Sequence, residues 1–452
     1  PPDESSIGMK IVVGLGLILN RLVSPMMKGL PEIDADSEKA LDFGLTAVYR
    51  DCYRAPMRPD VFSKESATEL GELAVESPYS IFLERDRDGQ LQWDFRFMGE
   101  FEHQAGLASL AVRVLFSEKG KSGSLEATEI DSTEYGVAQP GSPNWEASTL
   151  LAICAATTHL SLTRHFNYVH LVSANHWDVV TRNHLEVNHP IYRLLWPHIY
   201  HGLYTNYGIT KVQMLPDGDF VNMFSFTHQG LMDCYDTMYQ KYDITITDPE
   251  KDWERRGLSG SKFDCPSHQN LTEIFDVMHA HARRYICTYY ESDAELQRDP
   301  DVAHWLSALD NIIPNGLPKS LMAELTREEL ARVIGAYIYE GITIHELAGT
   351  ALWDYQLWPD KNPTRIYKDG RRIPLDVFQR VINANFALQL ERAPLINNYR
   401  DVGLDARGRK LFTQFCIECR AIQVRYNLHR WDTGDVEPWK MEPRNLEISM
   451  NG

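Results

Sequence analysis

The chain lacks the features that would divide it into domains, cross-link it or attract nucleic acid. Its 452 residues contain no long Pro-, Gly- or Ser-rich stretch and no repeat, so we expect a single domain over residues 1–452. The seven cysteines are odd in number and widely spaced, unlike a disulfide framework. Acidic residues outnumber basic ones by 63 to 45, giving a formal charge of −18. Such a charge repels phosphate backbones, which argues against nucleic acid as a partner.

Long apolar runs are also scarce. Residues 11–19 are apolar, but they are too few to span a membrane, and no small-residue cleavage site follows them. We predict that residues 1–30 form an apolar segment, a helix packed on the body or on a bilayer surface. Any peripheral membrane contact would rest on residues 11–27. We therefore expect a cytoplasmic or peripheral membrane localisation, with secretion left open.

Helical patterns dominate the sequence from about residue 145. Residues 145–172 are mostly apolar and contain neither glycine nor proline, which predicts a buried central helix. Thr326 and Glu329 fit a capping box that opens a second long helix, ending near residue 351. Further helices are predicted at 271–290, 374–391 and 406–427.

Strand signals are few. Residues 92–97 alternate between polar and apolar after a turn at Asp88-Gly89, and residues 79–84 are expected to pair with them as a hairpin. The predicted fold class is therefore mainly α, with a small β-hairpin element near residues 79–97.

The positions of the histidines are the main indication of a metal site. Six of the 16 histidines fall within residues 159–189, and His345 lies in the middle of an apolar helix. A buried imidazole needs a partner for each nitrogen, and a histidine-rich site with few thiolates suits iron, manganese or zinc. The six clustered histidines are His159, His165, His170, His176, His184 and His189.

Several stretches of the chain resemble the lipoxygenase family. Residues 189–198 read HPIYRLLWPH, which is similar to the family's HPIxxLLxPH stretch. The segment from Tyr289 to Trp305 is similar to its YYxxD…DPELQAWW segment. From His345 to Asp354 the spacing matches the family pattern HAAVNFGQYD, and Pro443 matches the pattern near the family's C-terminus. The resemblance covers about two thirds of the chain, from about residue 145 to the last residue.

The resemblance implies a helical body around two long central helices that hold one iron ion, Fe²⁺/Fe³⁺, per chain, with manganese as the alternative metal. In this family histidines and the main-chain carboxylate of the last residue bind the metal. Carried over to this chain, the metal ligands are His159, His165, His345 and Gly452. The resemblance covers the catalytic domain, and we expect a short form without an N-terminal β-sandwich.

Two positions leave alternatives open. His159 and His165 are six residues apart, where the family has five, and on a straight α-helix they point about 240° apart. Both face one metal only where the helix widens, as in a π-bulge. The rival pair is His165 with His170, and His170 is otherwise expected to support the ligands. Gly349 falls where the family has a weak extra ligand (Asn, His or Ser), so we expect water there.

The implied activity is insertion of O₂ into a polyunsaturated fatty acid or related lipid. A hydrogen atom leaves a bis-allylic methylene, and a hydroperoxide forms. One alternative is altered radical or peroxide chemistry, such as hydroperoxide isomerisation or oxidation of a substrate other than a fatty acid. Another is a non-catalytic descendant that binds lipid. The expected partners are a small-molecule lipid and O₂.

Overall fold

The computed structural model describes residues 59–63, 66–119, 124–200, 202–368, 393–433 and 440–450. Three predictions fall outside these ranges: the apolar segment at residues 1–30, the helix at 374–391, and Gly452 as a metal ligand.

A five-stranded antiparallel sheet precedes the helical body. Its strands lie side by side in chain order. The predicted hairpin near residues 79–97 is its first part, with Glu84 opposite Gln92 and Arg85 opposite Leu91. The predicted strand at residues 79–84 is wrong over most of its length, because Pro78–Phe82 forms a 3-10 helix and pairing begins only at Glu84. The second strand ends at Asp94, before the predicted end at residue 97. The sheet is larger than predicted, although the next two strands alternate between buried and exposed residues as half-buried strands do. The strands are β1 Glu84–Arg85, β2 Leu91–Asp94, β3 Val112–Lys119, β4 Ser124–Ser132 and β5 Gly136–Ala138.

Helices make up most of the remainder, which confirms the predicted mainly α class. In the described ranges the α-helices are α1 Ser66–Leu73, α2 Trp145–Thr158, α3 Asn175–His184, α4 Pro190–Ile199, α5 Gly202–Gly208, α6 Asp219–Met223, α7 His228–Lys241, α8 Pro249–Arg255, α9 Pro266–Tyr289, α10 Asp293–Leu296, α11 Pro300–Ile312, α12 Lys319–Ala323, α13 Arg327–Tyr339, α14 His345–Thr350 and α15 Ala406–Thr433. No helix in the described part of the chain combines the length and the hydropathy that a membrane crossing needs.

Helices α2 and α3 are joined by a π-helix, His159–Ala174, into one continuous rod over residues 145–184. Almost every side chain of the π-helix is buried. The rod is covered by protein on all sides, which explains why its sequence has no polar stripe that would face solvent. The prediction of a buried central helix is confirmed.

The second central rod spans residues 327–355. The Thr326 side chain accepts a hydrogen bond from the Glu329 amide at 3.1 Å, so the N-cap half of the predicted capping box is present. The Glu329 carboxylate accepts from Ser320 Oγ. Helix α13 continues through a π turn, Glu340–Ile344, into α14. At Gly335 the rod crosses α9 so closely that a Cβ would lie 2.8 Å from the His279 Cα. Only glycine fits this helix crossing without a shift of the backbone.

The C-terminal segment returns to the centre of the body. The Leu395 amide donates to the Leu446 carbonyl, and the Ile448 amide donates to the Ala393 carbonyl, both at 2.8 Å. Met450 then packs on Gly341, where a Cβ would lie 2.9 Å from the methionine Cε. The segment therefore reaches the rod that carries His345.

Candidate metal centre

Three buried imidazoles converge between the two central rods. His165 and His170 come from the first rod and His345 from the second, and one nitrogen of each lies within 4.8 Å of the others. The Nε2 atoms of His165 and His170 are 3.1 Å apart. The His345 ring centroid lies 4.9 Å from each of the other two rings. Three side chains that are at most 5% exposed thus share one small volume.

The π-helical backbone explains why these histidines meet. A π-helix bonds residue i to residue i+5, so residues five apart lie on one face. His165 and His170 are five apart within the π-helix. His345 follows directly on the π turn of the second rod. Widened turns on both rods therefore point imidazoles at the same place.

His159 lies outside this cluster. Its ring packs among phenylalanines, with centroids 4.9 Å from Phe82, 5.1 Å from Phe97 and 6.0 Å from Phe95. Burial there lowers the pKa of His159 to about 3. The sequence favoured the pair His159/His165, but the structure brings together the rival pair, His165 and His170. The reason is geometric, because a six-residue step leaves the face that a five-residue step keeps.

The cluster has the electrostatics of a metal site. Burial lowers the pKa of His165 and of His170 well below the ordinary value, and each is lowered further by the neighbouring His345. Both rings are therefore neutral, the form that binds metals. The Nε2 atom of His345 has no hydrogen-bond partner among the described residues. Orphaned buried nitrogens are rare in folded proteins, and a shared cation would satisfy this one, so the residues fit the expected metal.

Glu346 orients the third imidazole. Its Oε1 accepts a hydrogen bond from His345 Nδ1 at 3.1 Å, which leaves His345 Nε2 to face the other two rings. Its Oε2 lies 3.8 Å from the position that a Cβ on Gly349 would occupy. The carboxylate thus borders the space where the sequence predicted water in place of a side-chain ligand.

Loss of the Glu346 carboxylate is expected to weaken metal binding. Carboxylates that fix a ligating histidine contribute about 10- to 100-fold in metal affinity. We expect Glu346→Gln to raise the Kd for Fe²⁺ within that range, as measured by competition with a chelating dye. Glu186, an exposed residue after α3, provides the control variant Glu186→Gln, for which no change is expected. Equal affinities for the two variants would contradict this role.

Asn206 fixes the backbone of the π-helix beside the cluster. Its Nδ2 donates to the His170 carbonyl and to Asn175 Oδ1, both at 2.7 Å. The wide turn frees backbone groups that a regular helix would bond internally, and an amide from α5 satisfies one of them. The sequence contained no signal for this contact, because Asn206 lies outside every motif.

Glu340 is a buried acid in the π turn of the second rod, and it contacts the first rod. Its Oε2 accepts hydrogen bonds from Ser173 Oγ at 2.5 Å and from Tyr242 OH at 3.0 Å. Burial raises the pKa of Glu340 from 4.5 to about 7, although both hydrogen bonds act in the opposite direction. Sequence reasoning missed this residue, and the available signal was one acid within an apolar run, AYIYEGITI.

Two of the motif stretches meet in space. His189 Nδ1 accepts from the Ile191 amide at 3.2 Å, while its Nε2 lies 3.3 Å from Asp299 Oδ2. Tyr290 OH donates to the same carboxylate oxygen at 2.7 Å. Similarly, His198 Nδ1 donates to the Ile448 carbonyl at 2.8 Å. These histidines hold α4 against its neighbours and against the C-terminal segment, and they take no part in the cluster.

Comparisons with known proteins identify the class. No family model matches the chain. The chain is 22% identical over 269 residues to seed linoleate 9S-lipoxygenase-3 of Glycine max, which covers 54% of this chain and 31% of that protein. It is 24% identical over 208 residues to hydroperoxide isomerase ALOXE3 of Mus musculus, covering 44% and 28%. The matches thus span less than a third of either relative.

Solved structures define the fold. A calcium-dependent 11R-lipoxygenase superposes with a TM-score of 0.79 at 17% identity, over 97% of this chain and 72% of that one. The delta413-417:GS LOX in complex with arachidonate superposes with a TM-score of 0.76 at 15% identity, over 99% and 75%. The protein is a mainly helical molecule with the lipoxygenase fold. Together with the curated relatives, these matches confirm the resemblance to lipoxygenases seen in the motifs.

Proposed function

We propose that this chain is a lipoxygenase-type, non-haem iron dioxygenase that oxygenates a polyunsaturated fatty acid or related lipid to a hydroperoxide. The convergence of three buried imidazoles from two π-widened rods supports this most directly. The similarity to proteins named as linoleate lipoxygenases, and to a LOX bound to arachidonate, supports the substrate class.

The proposed ligands are His165, His170 and His345. A histidine-rich site with an open position suits iron, and manganese is the alternative. When bound, one iron ion would supply the redox chemistry that removes a hydrogen atom from the bis-allylic methylene. His159 is left out of this set because it packs among phenylalanines.

The surrounding residues position the ligands and exclude water. Phe166 stacks on His165 with centroids 4.7 Å apart, and Phe220 covers Phe166 at 4.3 Å. Glu346 holds the His345 ring through its Nδ1–H. A dry, rigid centre protects a carbon radical from side reactions and keeps the reacting carbon in one position.

The test combines metal analysis with oxygen uptake. The chain is loaded with Fe²⁺, desalted and supplied with linoleic acid; the saturated stearic acid, which has no bis-allylic methylene, is the matched control. We expect close to one iron per chain, together with oxygen consumption and conjugated-diene absorbance for linoleic acid alone. A chain that retains no iron and consumes no oxygen would contradict the proposal and favour a non-catalytic descendant.

Hydroperoxide isomerisation is the second candidate. Two observations favour it: Gly349 offers no side chain beside the cluster, and one relative is named a hydroperoxide isomerase. Supplying linoleate hydroperoxide separates the two functions. An isomerase consumes the hydroperoxide without oxygen uptake, whereas a dioxygenase consumes oxygen with linoleic acid.

A further inference from the structure

Helix α15 carries apolar residues on two opposite faces. Its inner face is buried in the body through Phe412, Phe415 and Ile422. Its outer face exposes Ile417 at 58%, Val424 at 52% and Leu428 at 56%. Ala421 is also exposed, and the steps of four, three and four residues place these residues on one line along the helix. Packing against the body requires only the inner apolar face of α15, so it does not explain the exposed apolar residues on the outer face.

Basic side chains border this apolar line. On a helical wheel Arg409 and Arg420 lie along one side, and Arg407 and Arg425 along the other. Lys410 lies on the line itself, near its N-terminal end. All five are exposed. Arg407 and Arg425 pair with Asp405 and Glu273 but keep 60% and 61% of their side chains in solvent.

Among the described residues, no carboxylate forms an ion pair with the other three cations, Arg409, Lys410 and Arg420. The single acidic residue among the border positions, Glu418, binds Arg284 of α9. An apolar line bordered by exposed cations stands out on a chain whose formal charge is −18.

We propose that this surface, the α15 stripe, docks on an anionic lipid membrane. The stripe consists of Arg409, Lys410, Ile417, Arg420, Ala421, Val424 and Leu428. A helix lying in the membrane interface buries its apolar line among the acyl chains, while long basic side chains reach back to the headgroups. From residue 410 to residue 428 the line is about 27 Å long. Charge complementarity selects anionic headgroups, since cations near such a surface are attracted within a Debye length.

A second copy of the chain fits the stripe less well. Pairing two α15 helices would place rows of arginine beside each other, and like charges along a helix pair are destabilising. The proposal is also independent of the proposed function and of the N-terminal segment at residues 11–27, because it rests on exposed residues of α15 alone.

Co-sedimentation of the full chain with vesicles tests the proposal. One set of vesicles is phosphatidylcholine, and the other is phosphatidylcholine mixed with phosphatidylserine. We expect the chain to pellet with the anionic set and to remain in solution with the neutral set. The double variant Arg409→Glu/Arg420→Glu is expected to bind about tenfold or more weakly. Leu428→Ser should also weaken binding, because one third of the large apolar contacts is lost.

Matched controls use other exposed residues. Val137 is 59% exposed on β5 and lies far from α15 in the chain, so Val137→Ser removes a similar apolar side chain elsewhere. Arg298→Glu reverses one exposed charge after α10. Neither should change pelleting, and thermal melting followed by circular dichroism should show all variants folded.

Three outcomes would overturn the proposal. The first is that the chain does not bind the anionic vesicles, or that the stripe variants and the parent chain pellet equally. The second is that soluble polyglutamate binds the parent chain and competes fully with vesicles, which would assign the stripe to an acidic protein. The third is a dimer in solution that Leu428→Ser converts to a monomer, which would assign it to a second copy.

Discussion

Replacing His170 by alanine is expected to abolish stoichiometric iron binding, whereas replacing His159 by alanine leaves it close to that of the parent chain. His170 contributes one of three converging nitrogens, while His159 contacts phenylalanine rings. Removing a direct ligand should exceed the 100-fold or so loss that a supporting residue causes. Iron per chain is measured by atomic emission after loading and desalting.

Both variants are also expected to lower stability. His159→Ala opens a cavity beside Phe82, Phe95 and Phe97, but the His159 ring is only partly buried, so its loss should lie at or below the lower end of the range of about 2–5 kcal/mol typical of large-to-small changes in a core. His170→Ala removes a buried ring together with its hydrogen bond to His165 Nε2 at 3.1 Å, so the metal-free chain should lose more. Iron retained by His170→Ala and lost by His159→Ala, with both variants folded, would reverse the assignment and restore the first sequence prediction.

The choice between these histidines shows how far the sequence could go. The spacing of residues 159, 165 and 170 was visible, and so was the need for a widened helix. What decides the pair is the length of the π-helix, His159–Ala174. That length depends on which backbone groups find outside partners, such as the His170 carbonyl bonded to Asn206. Such partners lie far away in the sequence and belong to no recognisable motif, so the length of the π-helix could not be predicted.

The second rod was easier to predict. Thr326 and Glu329 indicate where it begins, and the spacing between His345 and Asp354 matches the lipoxygenase pattern. Its supporting carboxylate was missed, because Glu346 bonds the preceding residue, and neighbours in a helix do not normally face each other. The larger sheet was missed for a different reason. Val112, Val114 and Phe116 alternate clearly with polar residues, and the period-2 pattern was present but was not followed beyond the first hairpin.

The motif stretches have a structural explanation that the sequence did not reveal. His189 and His198 begin and end the HPIYRLLWPH stretch, and in the structure they bond Asp299 and the Ile448 carbonyl. They fix α4, which lies beside α3 of the first rod. Buried imidazoles that serve as hydrogen-bond connectors and imidazoles that converge on a metal look alike in sequence. Only the number of nitrogens meeting in one place distinguishes them.

Glu340→Gln is expected to change the pH dependence of folding stability. Burial raises the pKa of Glu340 from 4.5 to about 7, so the folded state holds this proton more tightly than the unfolded state. Below about pH 4.5 both states are protonated and the contribution is complete. Between 4.5 and 7 the unfolded state loses its proton first, so stability falls as pH rises. Above that range the loss is constant, at about 3 kcal/mol for a shift of this size.

The glutamine variant removes this titration and keeps an oxygen that accepts from Ser173 and Tyr242. Unfolding in urea is measured at pH 5 and pH 8 for the parent chain, Glu340→Gln and the exposed control Glu291→Gln. We expect the stability of Glu340→Gln relative to the parent to improve by about 2–3 kcal/mol between the two pH values, and that of the control to stay unchanged. An identical pH response in all three proteins would show that Glu340 ionises at its ordinary pKa. The acid between the rods would then be solvated by water that reaches the centre.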